Sequence, residues 1–403
     1  MTKTRNTNML GLLLVNLCFG IIAIFINIFL MAQIFVMTGE SFVSLGLFSL
    51  LNFSFIFIFH IIGGTLCKRF NPIWVTRLSS VLACLLLILI ILSYEELIYY
   101  YMVFALLWGC VTGLYYCAYQ FLVSKKSQGE ETLSYISTYV SIASIVKLFF
   151  PVTFGAIIVL GNFIATASII LAISICQILA TFLINHDPDQ SPKLNIKGYF
   201  KAIKEANHLG PGIKLWFIIF LTGLADTIII ITTALVMLTF NTHLSLGVLT
   251  SVSYVFVMVI SRLYKKAGSF RKYFYAAAVA LPPMGVALLL WDVNLFTVPL
   301  FMGVYLSTRN IIFMEEETIR LNAAKYWNGE SYIMESNLFY EAALALGAII
   351  SALLVIIIGT FYIQWLVVFL LGVVVCAFSL HGVLLKRWQE SMKNFVIGKS
   401  PQD

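Results

Sequence analysis

Charge is what this sequence has least of. Asp, Glu, Lys and Arg make up 11% of its 403 residues, where a soluble chain carries about 25%. That scarcity excludes a soluble enzyme, a nucleic-acid binder and a disordered protein, all of which need far more polar surface. The chain also lacks a G-x-x-x-x-G-K-[ST] loop, an H-E-x-x-H pair and any outer loop long enough for a catalytic domain. ATPase and enzyme chemistry are therefore not expected, and neither is a cofactor or a metal. Seven cysteines (Cys18, Cys67, Cys84, Cys110, Cys117, Cys176, Cys376) lack both disulfide-framework and metal-ligand spacing. They read as small apolar side chains. No cleavable signal follows Met1–Asn8, because the apolar run there is too long and lacks a small-residue cleavage site. The first helix is expected to serve as its own anchor.

What is abundant is apolar. Hydrophobic residues reach 61% and the mean hydropathy is +0.97. Crossing ~30 Å of hydrocarbon takes about 20 apolar residues as a helix, and backbone in lipid must satisfy its own hydrogen bonds. The pattern predicts an all-α membrane protein with twelve spans, near 9–36, 43–66, 74–93, 98–122, 134–159, 162–184, 214–238, 245–262, 271–291, 295–313, 331–358 and 361–385. An even count puts both termini on one side. Every Lys and Arg except Lys147 and Arg309 falls on that same side, while the opposite loops hold only Glu40, Glu95, Glu96 and Asp292. By the positive-inside rule both termini are cytoplasmic. The net charge of +7 marks orientation rather than an anionic partner.

The longest polar stretch divides the chain. Residues 1–184 form a first set of six helices and 214–385 a second, joined by a cytoplasmic linker at 185–213 and followed by a tail at 386–403. The halves echo each other. Ser134-Tyr135-Ile136 matches Ser331-Tyr332-Ile333, and Gly113-Leu114-Tyr115 matches Gly303-Val304-Tyr305. Cys67-Lys68-Arg69 matches Tyr264-Lys265-Lys266, and Ser44-Leu45-Gly46 matches Ser245-Leu246-Gly247. All four pairs lie in order and about half the chain apart, which points to two pseudo-symmetric six-helix bundles. Repeated halves about an axis normal to the membrane are a recurring carrier design.

Over nearly its whole length the chain resembles the major facilitator superfamily, in an efflux-like bacterial branch. The resemblance is carried by the six-plus-six layout, the central linker and the loop after span 2, Gly64-Thr65-Leu66-Cys67-Lys68-Arg69-Phe70-Asn71-Pro72. Against the pattern G-x-L-x-D-R-x-G-R-[RK], Gly64, Leu66 and Arg69 match, Lys68 replaces the aspartate, and Asn71 and Pro72 depart from it. The second copy, Lys265 to Lys272, keeps Gly268 and a basic pair. The resemblance implies a secondary transporter working by alternating access, with spans 1, 4, 7 and 10 around a central cavity. It puts the usual charge gate of that loop in doubt, since the aspartate is missing.

Three ionisable residues lie at similar depth inside the membrane. Lys147 in span 5, Asp226 in span 7 and Glu341 in span 11 all sit about 15–20 Å from the cytoplasmic face by helical rise. Buried ionisable groups are costly and line cavities or pathways. Asp226 and Glu341 are the candidate proton carriers, because a carboxyl can neutralise itself by taking up a proton. Lys147 is the candidate gate or counter-charge, pairing with one or the other. A polar stripe at Ser134, Ser137, Ser141 and Ser144 leads to Lys147, although small residues also serve close helix packing. Asn27 in span 1 is the repeat counterpart of Asp226. Trp108, Tyr115, Tyr119 and Gln120 in span 4 are candidate cavity linings, together with Asn27 in span 1, Ser144 in span 5, and Tyr305 and Arg309 in span 10. Arg309 is ranked below the three, as near enough to the cytoplasmic end to snorkel.

Other polar features read as structural. His60 is expected at a helix contact, Glu335 at the interface, and Glu315-Glu316-Glu317 on a solvated face. Ile196–Asn207 fits a basic amphipathic helix on the inner leaflet. Pro151 and Gly155 retain only part of an exporter's span 5 pattern, so direction is weakly marked. The expected function is proton-coupled export of an amphiphilic organic compound from a bacterial plasma membrane by a monomer. Partners would be the small-molecule or lipid substrate, protons and membrane lipids. The rivals are a lipid or glycolipid flippase and a non-transporting receptor or assembly factor on a carrier fold.

Overall fold

The computed structural model describes residues 2–126, 130–184, 193–206, 208–267, 270–294, 296–328, 332–361 and 364–396. Outside the described residues lie 185–192 of the linker, the tail beyond 396, Gly268 and Ser331, together with the side chains of Ser134, Ser137 and Ser141.

The described chain is helical. Helix α1 runs through Thr2–Ile24, a π-helical turn at Phe25–Leu30 and Met31–Met37. It is followed by α2 (Phe42–Arg69), α3 (Pro72–Leu92), α4 (Leu97–Lys126), α5 (Glu130–Leu160) and α6 (Phe163–Ala180). A short surface helix, α7 (Ile196–Glu205), precedes α8, which runs as Leu209–Ala225 and resumes as Thr227–Phe240. The last helices are α9 (His243–Lys266), α10 (Arg271–Trp291), α11 (Thr297–Asn328), α12 (Ile333–Gly359) and α13 (Gln364–Val396). Local chemistry sets several starts. The Ser41, Asn71, Asn162, Asn195 and Thr242 side chains each accept from a backbone N–H in the first turn of the helix they precede, satisfying donors that a helix start leaves open.

Eleven helices among the described residues are long and apolar enough to cross a membrane. The chain is a multi-pass membrane protein. The expected tenth span lies in α11, which does not meet that composition because Arg309 and Asn310 interrupt its apolar run. It nevertheless packs against α9 and α10 like a member of the bundle. Large apolar side chains such as Leu85, Phe149, Leu179, Phe256 and Phe369 remain exposed on the outside, where lipid rather than water would meet them.

The packing repeats. In the first six helices α1 lies on α6, α2 on α4, and α3 on both α4 and α6. The same pairings recur seven labels later: α8 on α13, α9 on α11, and α10 on both α11 and α13. Two broad contacts join the sets, α2 with α12 and α5 with α9.

Three readings change. The solvated face expected at Glu315-Glu316-Glu317 is instead helical and inside the bundle, because α11 continues to Asn328. Glu335, expected at the interface, is 2% exposed and paired with Lys68. The amphipathic linker helix turns its apolar face to protein: Tyr199 and Ile203 are buried, and the Tyr199 ring packs against Tyr332 and Phe339.

Candidate functional site

A cavity of about 340 Å³ lies between the first six and last six membrane helices. It is built around two irregular turns. Asn27 sits inside the π-helical turn of α1, a distortion that often marks functional positions. Asp226 sits where α8 breaks between Ala225 and Thr227, and its N–H bonds the Gly223 carbonyl at 3.2 Å, one residue tighter than an α-helix. The two residues that the internal repeat pairs thus occupy the two places where the cavity-lining backbone departs from regular helix. Both side chains line the cavity.

From α4, Trp108, Thr112, Tyr116, Tyr119 and Gln120 face the space. The Trp108 Nε1–H donates to Asn27 Oδ1 at 2.9 Å, so the indole and the amide hold each other at the wall. Tyr115, an expected lining residue, turns away. Its ring stacks on Phe19 with centroids 3.7 Å apart, and its hydroxyl donates to Asn16 Oδ1 at 2.9 Å. One residue along a helix is about 100° of rotation, so Tyr116 takes the position facing the cavity. Tyr119 meets the Tyr135 hydroxyl at 3.4 Å.

The opposite wall is charged. Arg309 Nη2 donates to Asp226 Oδ1 at 2.7 Å. The arginine therefore points into the cavity instead of snorkelling, drawn by a carboxylate on the neighbouring helix. Arg320 bridges Glu317 at 2.8 Å and Glu341 at 3.4 Å. Glu316 accepts from the Thr222 hydroxyl at 2.9 Å and lies 3.2 Å from His381 Nε2. Gln120 reaches Glu341 from the far wall, linking the two sets of helices. All seven of these charged or titratable groups line the cavity.

The remaining candidates fall outside the lining. Lys147 pairs with neither Asp226 nor Glu341: both acids are taken by arginines, and its Nζ lies 5.4 Å from the Tyr254 ring centroid. Ser144 is buried and does not line the cavity. Tyr305 packs one layer back, stacked on Phe301, with its hydroxyl donating to the Ala225 carbonyl at 3.4 Å. Gly64 faces Met334 and Leu338 of α12 across the helix contact. Arg69, at the end of α2, lies over the Phe70 ring, and neighbouring Lys68 carries the inter-helix ion pair. His60 is buried, as expected, in the α2 contact with α4.

No family model matches the chain, and no curated protein matches it by sequence. Solved structures do. The human organic anion transporter MFSD10 (TETRAN) superposes with a TM-score of 0.68 at 14% identity, covering 95% of this chain and 99% of that one. A structure described as giving insight into substrate recognition in proton-dependent oligopeptide transporters gives 0.66 at 12% identity, covering 95% and 100%. The chain has the major facilitator fold. These neighbours are transporters, not enzymes.

Within the major facilitator fold, the expectation that spans 1, 4, 7 and 10 surround the cavity corresponds to Asn27, Trp108, Asp226 and Arg309 on its wall. Sequence reasoning missed Glu316, Glu317, Arg320 and His381. The signal for the first three was their spacing on α11: Glu316, Glu317 and Arg320 follow Arg309 by seven, eight and eleven residues, which is one face of a continuing helix.

Proposed function

We propose that the chain is a secondary active transporter that moves an amphiphilic organic compound by alternating access, driven by protons in the export direction. The observation that carries this reading is the central cavity, walled by both sets of six helices and lined by paired carboxylates inside an apolar bundle. Residues 1–184 and 214–385 act as two bundles that rock about this cavity, with the termini and the 185–213 linker in the cytoplasm of a bacterial cell. Protonation of Asp226 removes the charge that holds Arg309, and protonation of Glu341 or Glu317 loosens Arg320. Proton uptake therefore rearranges the cavity wall that the cargo touches. Coupling needs no separate pathway.

Contacts between the bundles flank the cavity on both sides. Lys68 with Glu335 lies toward the basic end. Gln33 with His243, 2.9 Å apart, lies toward the other. Opening to either side requires one of these to part.

The test is accumulation of a panel of fluorescent amphiphiles in cells lacking their main exporters, comparing empty vector, this protein and Asp226→Asn, with and without a protonophore. Lower accumulation that disappears with the substitution and with the protonophore is the expected result. Unchanged accumulation by well-inserted protein across the panel overturns export of amphiphiles.

A further inference from the structure

The two walls of the cavity differ in charge. Among the described residues the wall from α1, α2, α4 and α5 carries no charged side chain and is rich in rings, among them Phe19, Trp108, Tyr116 and Tyr119. The wall from α8, α11, α12 and α13 carries four carboxylates, Asp226, Glu316, Glu317 and Glu341, against two guanidiniums. The pairing is uneven. Arg309 answers Asp226, while Arg320 alone is shared between Glu317 and Glu341. Glu316 has a hydroxyl and a histidine. Among the described lining residues the four carboxylates exceed the two guanidiniums by two, and the Lys147 ammonium, behind the lining and close enough to act on Tyr139 and Arg309, reduces that excess to one.

An excess charge inside an apolar helix bundle is unfavourable until something neutralises it. A second observation points to a ligand rather than to bound protons alone. Asn52 Oδ1 and Thr112 Oγ1 line the uncharged wall, are more than nine-tenths buried, and have no hydrogen-bond partner among the described residues. Buried polar atoms left open in this way are unfavourable until a partner satisfies them.

Resting on the transport reading above and deepening it, we propose that the cavity binds a lipophilic organic monocation. Its charged centre sits beside Glu316 and Glu317. Its apolar body lies on the aromatic wall, where ring faces attract a cation as well as apolar surface. The open Asn52 and Thr112 oxygens accept from polar hydrogens of the cargo. An organic anion of the same shape meets the excess negative charge and is rejected.

Two ions of nearly one shape and opposite charge decide this. Tetraphenylphosphonium and tetraphenylborate are titrated against purified full-length protein in detergent, with binding read by tryptophan fluorescence and by equilibrium dialysis. Wild type is expected to bind the phosphonium at least tenfold more tightly than the borate. Glu317→Gln is expected to weaken phosphonium binding about tenfold while eluting as the same monodisperse species. The proposal is overturned if the borate binds as tightly as the phosphonium, if neither binds, or if folded Glu317→Gln and Glu316→Gln both retain wild-type phosphonium affinity. The wild-type comparison stands even where a variant does not fold. Failure of the transport reading is separate: protein reconstituted in vesicles would bind the phosphonium and not move it down or against a proton gradient. Movement of the borate instead would keep transport and sink the cation assignment.

Discussion

Asp226 and Arg309 face each other inside an apolar bundle, and each is tolerable there because of the other. Their side chains are only 20% and 30% exposed. Removing one partner of such a pair leaves a buried charge and costs about 3 kcal/mol, whereas removing both costs less than the sum. Asp226→Asn and Arg309→Gln should each lower the melting temperature of the detergent-purified protein, and the double variant should melt above the sum of the two losses. Equal additivity would show that the pair is not coupled. Tyr115 and Tyr116 make a second contrast. Tyr115→Phe forfeits the bond to Asn16, worth about 1 kcal/mol, and should lower stability while leaving ligand affinity unchanged. Tyr116→Leu should weaken ligand binding several-fold with little change in melting. Of the α4 residues expected to face the cavity, Trp108, Tyr119 and Gln120 lie on its wall, while Tyr115 gives its place to Tyr116. A stripe of rings at mixed spacing admits both Tyr115 and Tyr116, and only the stacking on Phe19 decides between them.

At the level of helices, the α2–α12 and α5–α9 crossings depend on glycine. A Cβ added at Gly46 would lie 2.5 Å from Ile356 Cγ1, and one at Gly247 would lie 2.3 Å from the Pro151 carbonyl oxygen. These are the glycines of the repeated Ser-Leu-Gly triplets, so the internal repeat marked one close approach at each of the two crossings between the bundles. Small residues permit backbone contact of this kind between membrane helices. Gly247→Leu should force α5 and α9 apart at that end. In a cysteine-free background, a cysteine at Phe42 or Leu244 should then react faster with a membrane-impermeant maleimide added outside intact cells. Unchanged labelling would mean that the crossing absorbs the side chain, or that this end does not face outward. Helix α11 shows the opposite case, where the sequence misled. Three consecutive glutamates look like a loop to any hydropathy scale, yet Glu316 and Glu317 fall on the cavity face and Glu315 accepts from Tyr264 at 2.8 Å. Partners from α8, α9 and α13, all distant in sequence, make Glu315 and Glu316 tolerable, and Arg320, three residues on in the same helix, answers Glu317.

For the whole molecule, the position that departs most from the family's loop pattern is the one that ties the bundles together. Lys68 stands where the pattern has an aspartate. Its ammonium meets Glu335, 267 residues away, and the same carboxylate accepts from the Asn195 N–H of the linker at 2.8 Å. First bundle, second bundle and linker converge on one oxygen. Both side chains are nearly inaccessible, so parting them without a replacement costs about 3 kcal/mol, roughly a hundredfold in an open–closed equilibrium. Lys68→Gln and Glu335→Gln should therefore each favour opening at this end. The readout is labelling of a cysteine at Leu338 in inside-out vesicles, where faster reaction marks opening. The charge-swapped double variant, Lys68→Glu with Glu335→Lys, is the sharper test. It restores the attraction between the bundles but sets an ammonium against the Asn195 N–H, a donor facing a donor. Recovery should therefore be partial, with labelling between wild type and the single variants. Full recovery would show that the linker contributes nothing to the latch. No recovery would show that the pair itself does not set the equilibrium. Sequence alone left this gate in doubt because the expected charge was missing; the opposite charge, supplied with its own partner, closes the same joint.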